Sequence, residues 1–342
     1  MIPSEPRSTD PVEPTDGPPA PARPGASTFT IEGRAAPALF VVGWLATLIG
    51  FGAIFVALLA GGTAGAAVLL AAGLALLSIG LVSGAGAQGI ERRSRAQQLY
   101  KGPSPILVFV ASVPVSLLAV LVIAIPLTVV GIAVDGPVGR LASVSVQAVI
   151  YAGLIRLLVV DTGALSWAEM GLRRFDRRAL GDLASGALWA GPVILLTIPV
   201  AAILSQIFPV TPVSPLPPTG EAVGFAIHLL AGAVIAPVGE ELLFRAFATT
   251  AWARSLGYRR ALIRGALFFA LVHVLTISGA SAGEAFSLAI VGFASRVPVA
   301  LALGWLFLKR GSVWAPIGLH ATFNGVLLAL GELAARNGVV PS

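Results

Sequence analysis

The segment Pro237-Val238-Gly239-Glu240-Glu241-Leu242-Leu243-Phe244-Arg245 sets two adjacent carboxylates inside an otherwise apolar stretch. Carboxylates are expensive in hydrocarbon, so such a pair marks a functional interior. At about 100° per residue, Glu241 and Arg245 fall one helical turn apart on one face, acid before base, and can pair. Glu240 points elsewhere, which leaves it free to exchange protons and makes it the candidate general base. An interhelical Glu-Arg contact with no chemistry accounts for Glu241 and Arg245 but leaves Glu240 without a reason. Pro237 and Gly239 should kink or interrupt this helix, which a membrane tolerates where the freed backbone lines a cavity. Further on, Phe269 and His273 are i and i+4, and so are His320 and Asn324. Two donors converging from one helix face suit a developing oxyanion; the plainer reading is interhelical hydrogen bonding. The remaining histidine, His228, has no matching motif and is assigned to packing.

The elements that must hold these groups are membrane helices. The 342 residues are 56% hydrophobic and 11% charged, far from the roughly 25% charged usage of soluble domains. Nine apolar stretches approach the length of about 20 residues that spans a bilayer: Ala36–Leu59, Ala66–Ser83, Ile106–Ala133, Ala142–Val160, Ala184–Phe208, Ala222–Trp252, Ala261–Ile277, Ala285–Phe307 and Val313–Ala334. The fold class expected is all-α, a polytopic transmembrane bundle of about eight to nine spans. Residues 1–34, with eight Pro in the first 24 positions, read as a disordered cytoplasmic tail. Residues 35–183 read as accessory helices and an interfacial segment, and 184–336 as the functional core. The interfacial segment is Ser166–Asp182, where Trp167, Met170, Leu172 and Phe175 beside an Arg cluster suggest a helix lying in the cytoplasmic interface, with an ordinary solvated connector as the equal alternative.

Charge gives the orientation. Seventeen of the 22 basic residues fall in the tail or in alternate loops, with only Arg140 and Arg336 in the others, as the positive-inside rule expects. This puts the N-terminus in the cytoplasm and, with an odd number of spans, the C-terminus outside, in a multi-pass protein of the cell membrane. The net charge of +6 therefore reports topology, and a nucleic-acid partner is discounted. Arg156, Arg245 and Arg296 are left inside predicted spans and need partners. The lack of Cys excludes disulfides, thiolate metal sites and cysteine nucleophiles.

Glu-Glu-x-x-x-Arg, Phe-x-x-x-His and His-x-x-x-Asn, in this order, with Pro316 four residues before His320, resemble the CPBP family over roughly Glu221 to Glu332. That family includes type II CAAX prenyl endopeptidases and bacterial bacteriocin-processing and immunity proteins. The resemblance implies an intramembrane endopeptidase in which Glu240 activates water, His273 positions or polarises it, and His320 and Asn324 stabilise the oxyanion. The implied partners are a membrane-anchored protein or peptide substrate and the lipid bilayer. No cofactor is required in this mechanism; if zinc is used, Glu240, His273 and His320 form its ligand set. The His-Glu-x-x-His pattern of zinc proteases is absent. Two other classes stay open: a proton-coupled transporter, although the motifs have no second copy, and a non-catalytic immunity or anchoring protein. Abundant Ala, Gly, Arg and Pro with only two Lys, Lys101 and Lys309, suggest a bacterial, high-GC coding sequence.

Overall fold

The computed structural model describes residues 31–94, 99–208, 210, 216–275 and 277–339. All but the last four residues of the proline-rich tail thus lie outside the described residues. Nine helices and no strand occur among those residues: α1 (Pro37–Leu59), α2 (Ala64–Arg93), α3 (Pro105–Val129), α4 (Pro137–Val160), α5 (Arg177–Ile207), α6 (Ala222–Leu256), α7 (Tyr258–Val272), α8 (Ala282–Arg310) and α9 (Trp314–Arg336). Local chemistry fixes many of their ends. Pro stands in the first turn of α1, α3 and α4, where its missing N–H costs nothing. Thr63 and Ser281 cap α2 and α8 by accepting from Ala66 N and Glu284 N, and Asp176 caps α5 through Arg178 N and Ala179 N. Gly311, at φ +58°, ends α8 in the left-handed conformation that a side chain would resist.

Eight of the nine are long and apolar enough to cross a membrane, and the chain is a multi-pass membrane protein. The exception is α7, the stretch expected at Ala261–Ile277. It has 15 residues, about 22 Å against a hydrocarbon core of about 30 Å. The reason is in its sequence. Arg259, Arg260 and Arg264 occupy its first two turns, so its uninterrupted apolar run is only Gly265–Val272, and the helix stops at His273. It then runs back antiparallel as α8, with Leu262 beside Gly304 at one end and Val274 and Ile277 beside Gly292 at the other.

The segment Ser166–Asp182 is not an interfacial helix. Residues 167–171 form turns, Gly163 and Gly171 take positive φ, and Arg177 onward is already α5. Met170, together with Leu165 just ahead of the segment, is buried in the core instead of facing lipid, and Val313 N donates to Gly171 O. Its Glu169 pairs with Arg254 at 2.7 Å, and the Arg254 hydrogen bond, helped by Ser166, pulls the carboxyl down to about 2.

The core lies where α3, α4 and α6 to α9 meet, around Phe244, Phe247, Phe269, Leu303 and Leu319. Helices α5 and α9 touch backbone to backbone. A Cβ on Gly186 would stand 1.9 Å from Ala315 O, and one on Gly318 2.1 Å from Leu183 O. Such proximity admits only glycine, and it fixes the depth and rotation of α9 two residues before His320. Helix α1, by contrast, packs chiefly on α2 and leaves most of its apolar surface open.

Candidate active site

Helix α6 is continuous over 35 residues but twice departs from α-helical winding, into π turns at Leu230–Ile235 and Leu242–Thr249. Glu240 and Glu241 close the short α-helical piece between them, Ala236–Glu241. The kink expected at Pro237 is thus realised as a change of register. Ala236 N donates five residues back to Ala231 O, so the next donor in the same register would be residue 237, to Gly232 O. Proline has no N–H, and that carbonyl would be left unpaired. Asn324 Nδ2 fills the role from α9, donating to Gly232 O at 2.9 Å. Gly239, a few residues on, gives α4 its approach: a Cβ there would lie 2.8 Å from Ala148 Cβ.

Five of the six expected site residues form one connected network. Glu241 and Arg245, at 0% and 1% side-chain exposure, pair at 3.0 Å, as their spacing requires. The Arg245 guanidinium lies 4.2 Å from the centroid of the Phe269 ring and also reaches Ala300 O on α8 at 3.4 Å. Phe269 is the hub of the site, with its ring centroid 4.2 Å from that of His273 and 5.7 Å from that of His320. Glu241 Oε1 also meets His320 Nδ1 at 2.8 Å, a contact between α6 and α9 that helical periodicity could not reveal. Glu240 turns the other way, with Oε2 3.4 Å from His273 Nε2 and 3.8 Å from His320 Nε2.

Hydrogen-bond direction assigns the protons. His273 Nδ1 sits 2.7 Å from Phe269 O, and a carbonyl only accepts, so Nδ1 carries the hydrogen. Glu241, paired with Arg245, likewise accepts from His320 Nδ1. Both imidazoles therefore aim a second nitrogen, Nε2, at Glu240 Oε2, which is buried and has no hydrogen-bond donor among the described residues. Where both imidazoles are neutral, three electron-pair-bearing atoms face one another, at separations too long for direct strong hydrogen bonds. A proton shared among them, or a proton donor between them, relieves the repulsion. Glu240 and His273 are the accessible members, at 18% and 26% side-chain exposure, against 6% for His320.

Residues 222–326, 105 of the 342, match the family model for type II CAAX prenyl endopeptidase Rce1-like proteins. This segment is similar to Rce1-like proteins. All six expected site residues lie within it. No curated protein and no solved structure matches the chain.

The matched segment is not closed by its own helices alone. Helix α4 packs on the α6 segment bearing the Glu pair, and the buried Tyr151 of α4 is close enough to couple electrostatically to Glu240. Tyr151 was not singled out from the sequence; a tyrosine one turn after Gln147 in a largely apolar span was the available signal. Of the three intramembrane arginines, Arg245 has the partner expected. Arg156 lies at the exposed end of α4, 3.7 Å from Asp161, outside the bundle interior. Arg296 on α8 also couples to Glu240, without an ion pair. His228 is buried apart from the network, as packing requires. Glu240, His273 and His320 have the donor chemistry of a zinc set, and each imidazole has the back-side hydrogen bond that orients a metal ligand. Yet no group of three or more His, Asp or Glu among the described residues is arranged to hold a metal ion.

Proposed function

We propose that this chain is an intramembrane endopeptidase that hydrolyses peptide bonds of membrane-associated proteins or peptides, with Glu240 as the base that activates water. The observation carrying this reading is the buried Oε2 of Glu240, without a donor of its own and faced by Nε2 of His273 and His320 at 3.4 and 3.8 Å. A water there donates one hydrogen to Glu240 and the other to a histidine nitrogen. Glu240 takes its proton as the oxygen attacks the scissile carbonyl, then returns it to the leaving amine. His273 steers the water. His320, having taken a proton at Nε2 from solvent before the attack, donates that N–H as a hydrogen bond to the developing oxyanion and returns the proton to solvent after product release; the Glu241 carboxylate behind it stabilises that imidazolium as well as fixing its orientation. Asn324 contributes the N–H that Gly232 does not use. The Rce1-like match supports a membrane-bound peptide as substrate.

No step in this sequence needs a metal. Hydrolysis is expected to persist in 1,10-phenanthroline, and purified protein is expected to carry less than stoichiometric zinc. The N-terminus faces the cytoplasm and the C-terminus the outside of the cell membrane. The short α7 enters from the arginine-rich side and returns as α8, so the charge alternation survives a helix that stops short. Because the chain has no Cys, single cysteines introduced at Ser4 and Ser342 can be labelled with an impermeant maleimide to test this. The activity test is cleavage of a panel of membrane-anchored peptides by the full chain in proteoliposomes. Glu240→Gln should keep its fold and lose about 10²- to 10⁴-fold in rate. Unchanged cleavage by that variant, or no cleavage of any peptide by the wild type, overturns the assignment.

A further inference from the structure

The mechanism leaves Arg296 unused. It lies at mid-length on α8, half-buried, and its one hydrogen bond among the described residues is from Nη1 to Gly292 O of its own helix, at 2.9 Å. That leaves Nε and the second amino group, the edge of the fork that takes a carboxylate with two parallel hydrogen bonds. A charged group at this depth without a paired anion is costly and marks a functional position.

Its level in the bundle can be read from the packing. Arg245, Phe269 and Ala300 share one layer, since the guanidinium touches both the Phe269 ring and Ala300 O. Helices α7 and α8 are antiparallel, so one turn forward from Phe269 and one turn back from Ala300 move in the same direction by about 5.4 Å. The first step reaches His273 and the second reaches Arg296. Arg296 therefore stands at the depth of the His273–Glu240 contact, and Glu240 senses its charge although no ion pair forms within 4.0 Å. Gly292 makes room for it. A Cβ there would lie 3.1 Å from Arg296 Nη1 and 3.2 Å from both Ile277 Cδ1 and Val274 Cγ1.

We propose that Arg296 is a specificity-determining residue that binds a carboxylate of the substrate within a few residues of the bond Glu240 attacks. This rests on the endopeptidase reading above. The carboxylate is either the free C-terminus of the peptide or an acidic side chain beside the cleaved bond. Both present the same planar pair of oxygens, and both need a cation to offset repulsion from Glu240.

The test uses the full chain in proteoliposomes with paired anchored peptides: C-terminal acid against amide, and Glu against Gln near the cleaved bond. In the wild type, at least one acidic member is expected to exceed its neutral partner by about ten- to a hundredfold in kcat/KM, mainly through KM. The pair that shows the preference identifies the source of the carboxylate. In Arg296→Gln this ratio should fall to about one, Arg296→Lys should keep part of it, and Arg156→Gln, at an exposed helix end, should leave it intact. Gly292→Ala, which crowds the guanidinium without removing its charge, should lower the ratio too, and so serves if Arg296→Gln folds poorly. Cleavage without an acid preference, or a preference that survives in Arg296→Gln, overturns this proposal alone. Cleavage of no peptide overturns the endopeptidase reading and this proposal with it.

Discussion

Arg245→Met separates the ion pair's part in folding from its part in chemistry. The side chain is 1% exposed and bonds the 0% exposed Glu241 at 3.0 Å. Methionine fills a similar length but donates nothing, so Glu241 would remain charged with a single donor, His320 Nδ1 at 2.8 Å, while its Oε2 already has none among the described residues. Removing one partner from such a pair costs about 3 to 5 kcal/mol. The stacking on Phe269 adds a smaller loss, about 0.5 to 2 kcal/mol. The double variant Glu241→Gln/Arg245→Met removes both charges and should recover most of that stability, because a neutral buried pair carries no uncompensated ion. Activity should not return with it. A neutral amide in place of the Glu241 carboxylate can neither insist on a hydrogen at His320 Nδ1 nor stabilise an imidazolium, and the loss should be about a hundredfold or more. Unfolding in detergent, by heat or by denaturant, gives the first quantity, and turnover of an anchored peptide at matched folded fraction gives the second. A cost below about 1 kcal/mol for Arg245→Met would mean that Glu241 is not an ionised buried carboxylate. Full activity in the double variant would refute its role behind His320.

Asn324→Ala should destabilise the protein by about 1 to 3 kcal/mol as well as slow hydrolysis, because Gly232 O then loses the donor that Pro237 cannot supply; an unfolding midpoint equal to wild type would contradict this. Gly318→Ala forces a Cβ to within 2.1 Å of Leu183 O and should shift His320, so that kcat falls more than KM changes; unaltered kinetics would show that α9 can move freely on α5. Glu169, lowered from 4.5 to about 2 chiefly by Arg254, contributes stability that is present above 4.5 and lost as pH falls toward 2. Its pair is 36% and 44% exposed, so the contribution is below about 1 kcal/mol, and melting curves of Glu169→Gln against wild type should differ above pH 4.5 and converge near pH 2.

The parts of the site that rest on helical periodicity were legible in the sequence. Spacing of four residues is enough to stack Glu241 under Arg245 and Phe269 under His273, and the cost of charge in hydrocarbon is enough to set Glu240 apart. The near-complete span count was legible for the same reason, since length and apolarity decide it locally. Helix α7 marks the edge of that reasoning. The expected span Ala261–Ile277 carried Arg264 inside it and ran past His273, where the helix stops. The turns at 167–171 mark it too: their amphipathic pattern is real, but Met170 and the neighbouring Leu165 find a core to enter, which no single-helix pattern can foresee.

Asn324 shows why the remainder was hidden. Its spacing from His320 put it on the same face of α9, and from there a donor to an oxyanion was the natural reading. What it donates to, however, depends on a change of winding on another helix, where Ala236 N reaches back five residues instead of four. In ordinary α-helical register the carbonyl that Pro237 fails is that of Ala233; in π register it is that of Gly232. It is the second that Asn324 bonds. One residue thus links two helices: it satisfies the backbone that the register shift exposes beside Glu240, and the proposed mechanism gives its second N–H to the substrate. The consequence is that the positions of the proposed base and of the proposed oxyanion donors are not independent. A substitution at Pro237 that restores a backbone N–H would compete with Asn324 for Gly232 O, and so would act on the oxyanion side of the site from the helix that carries the base.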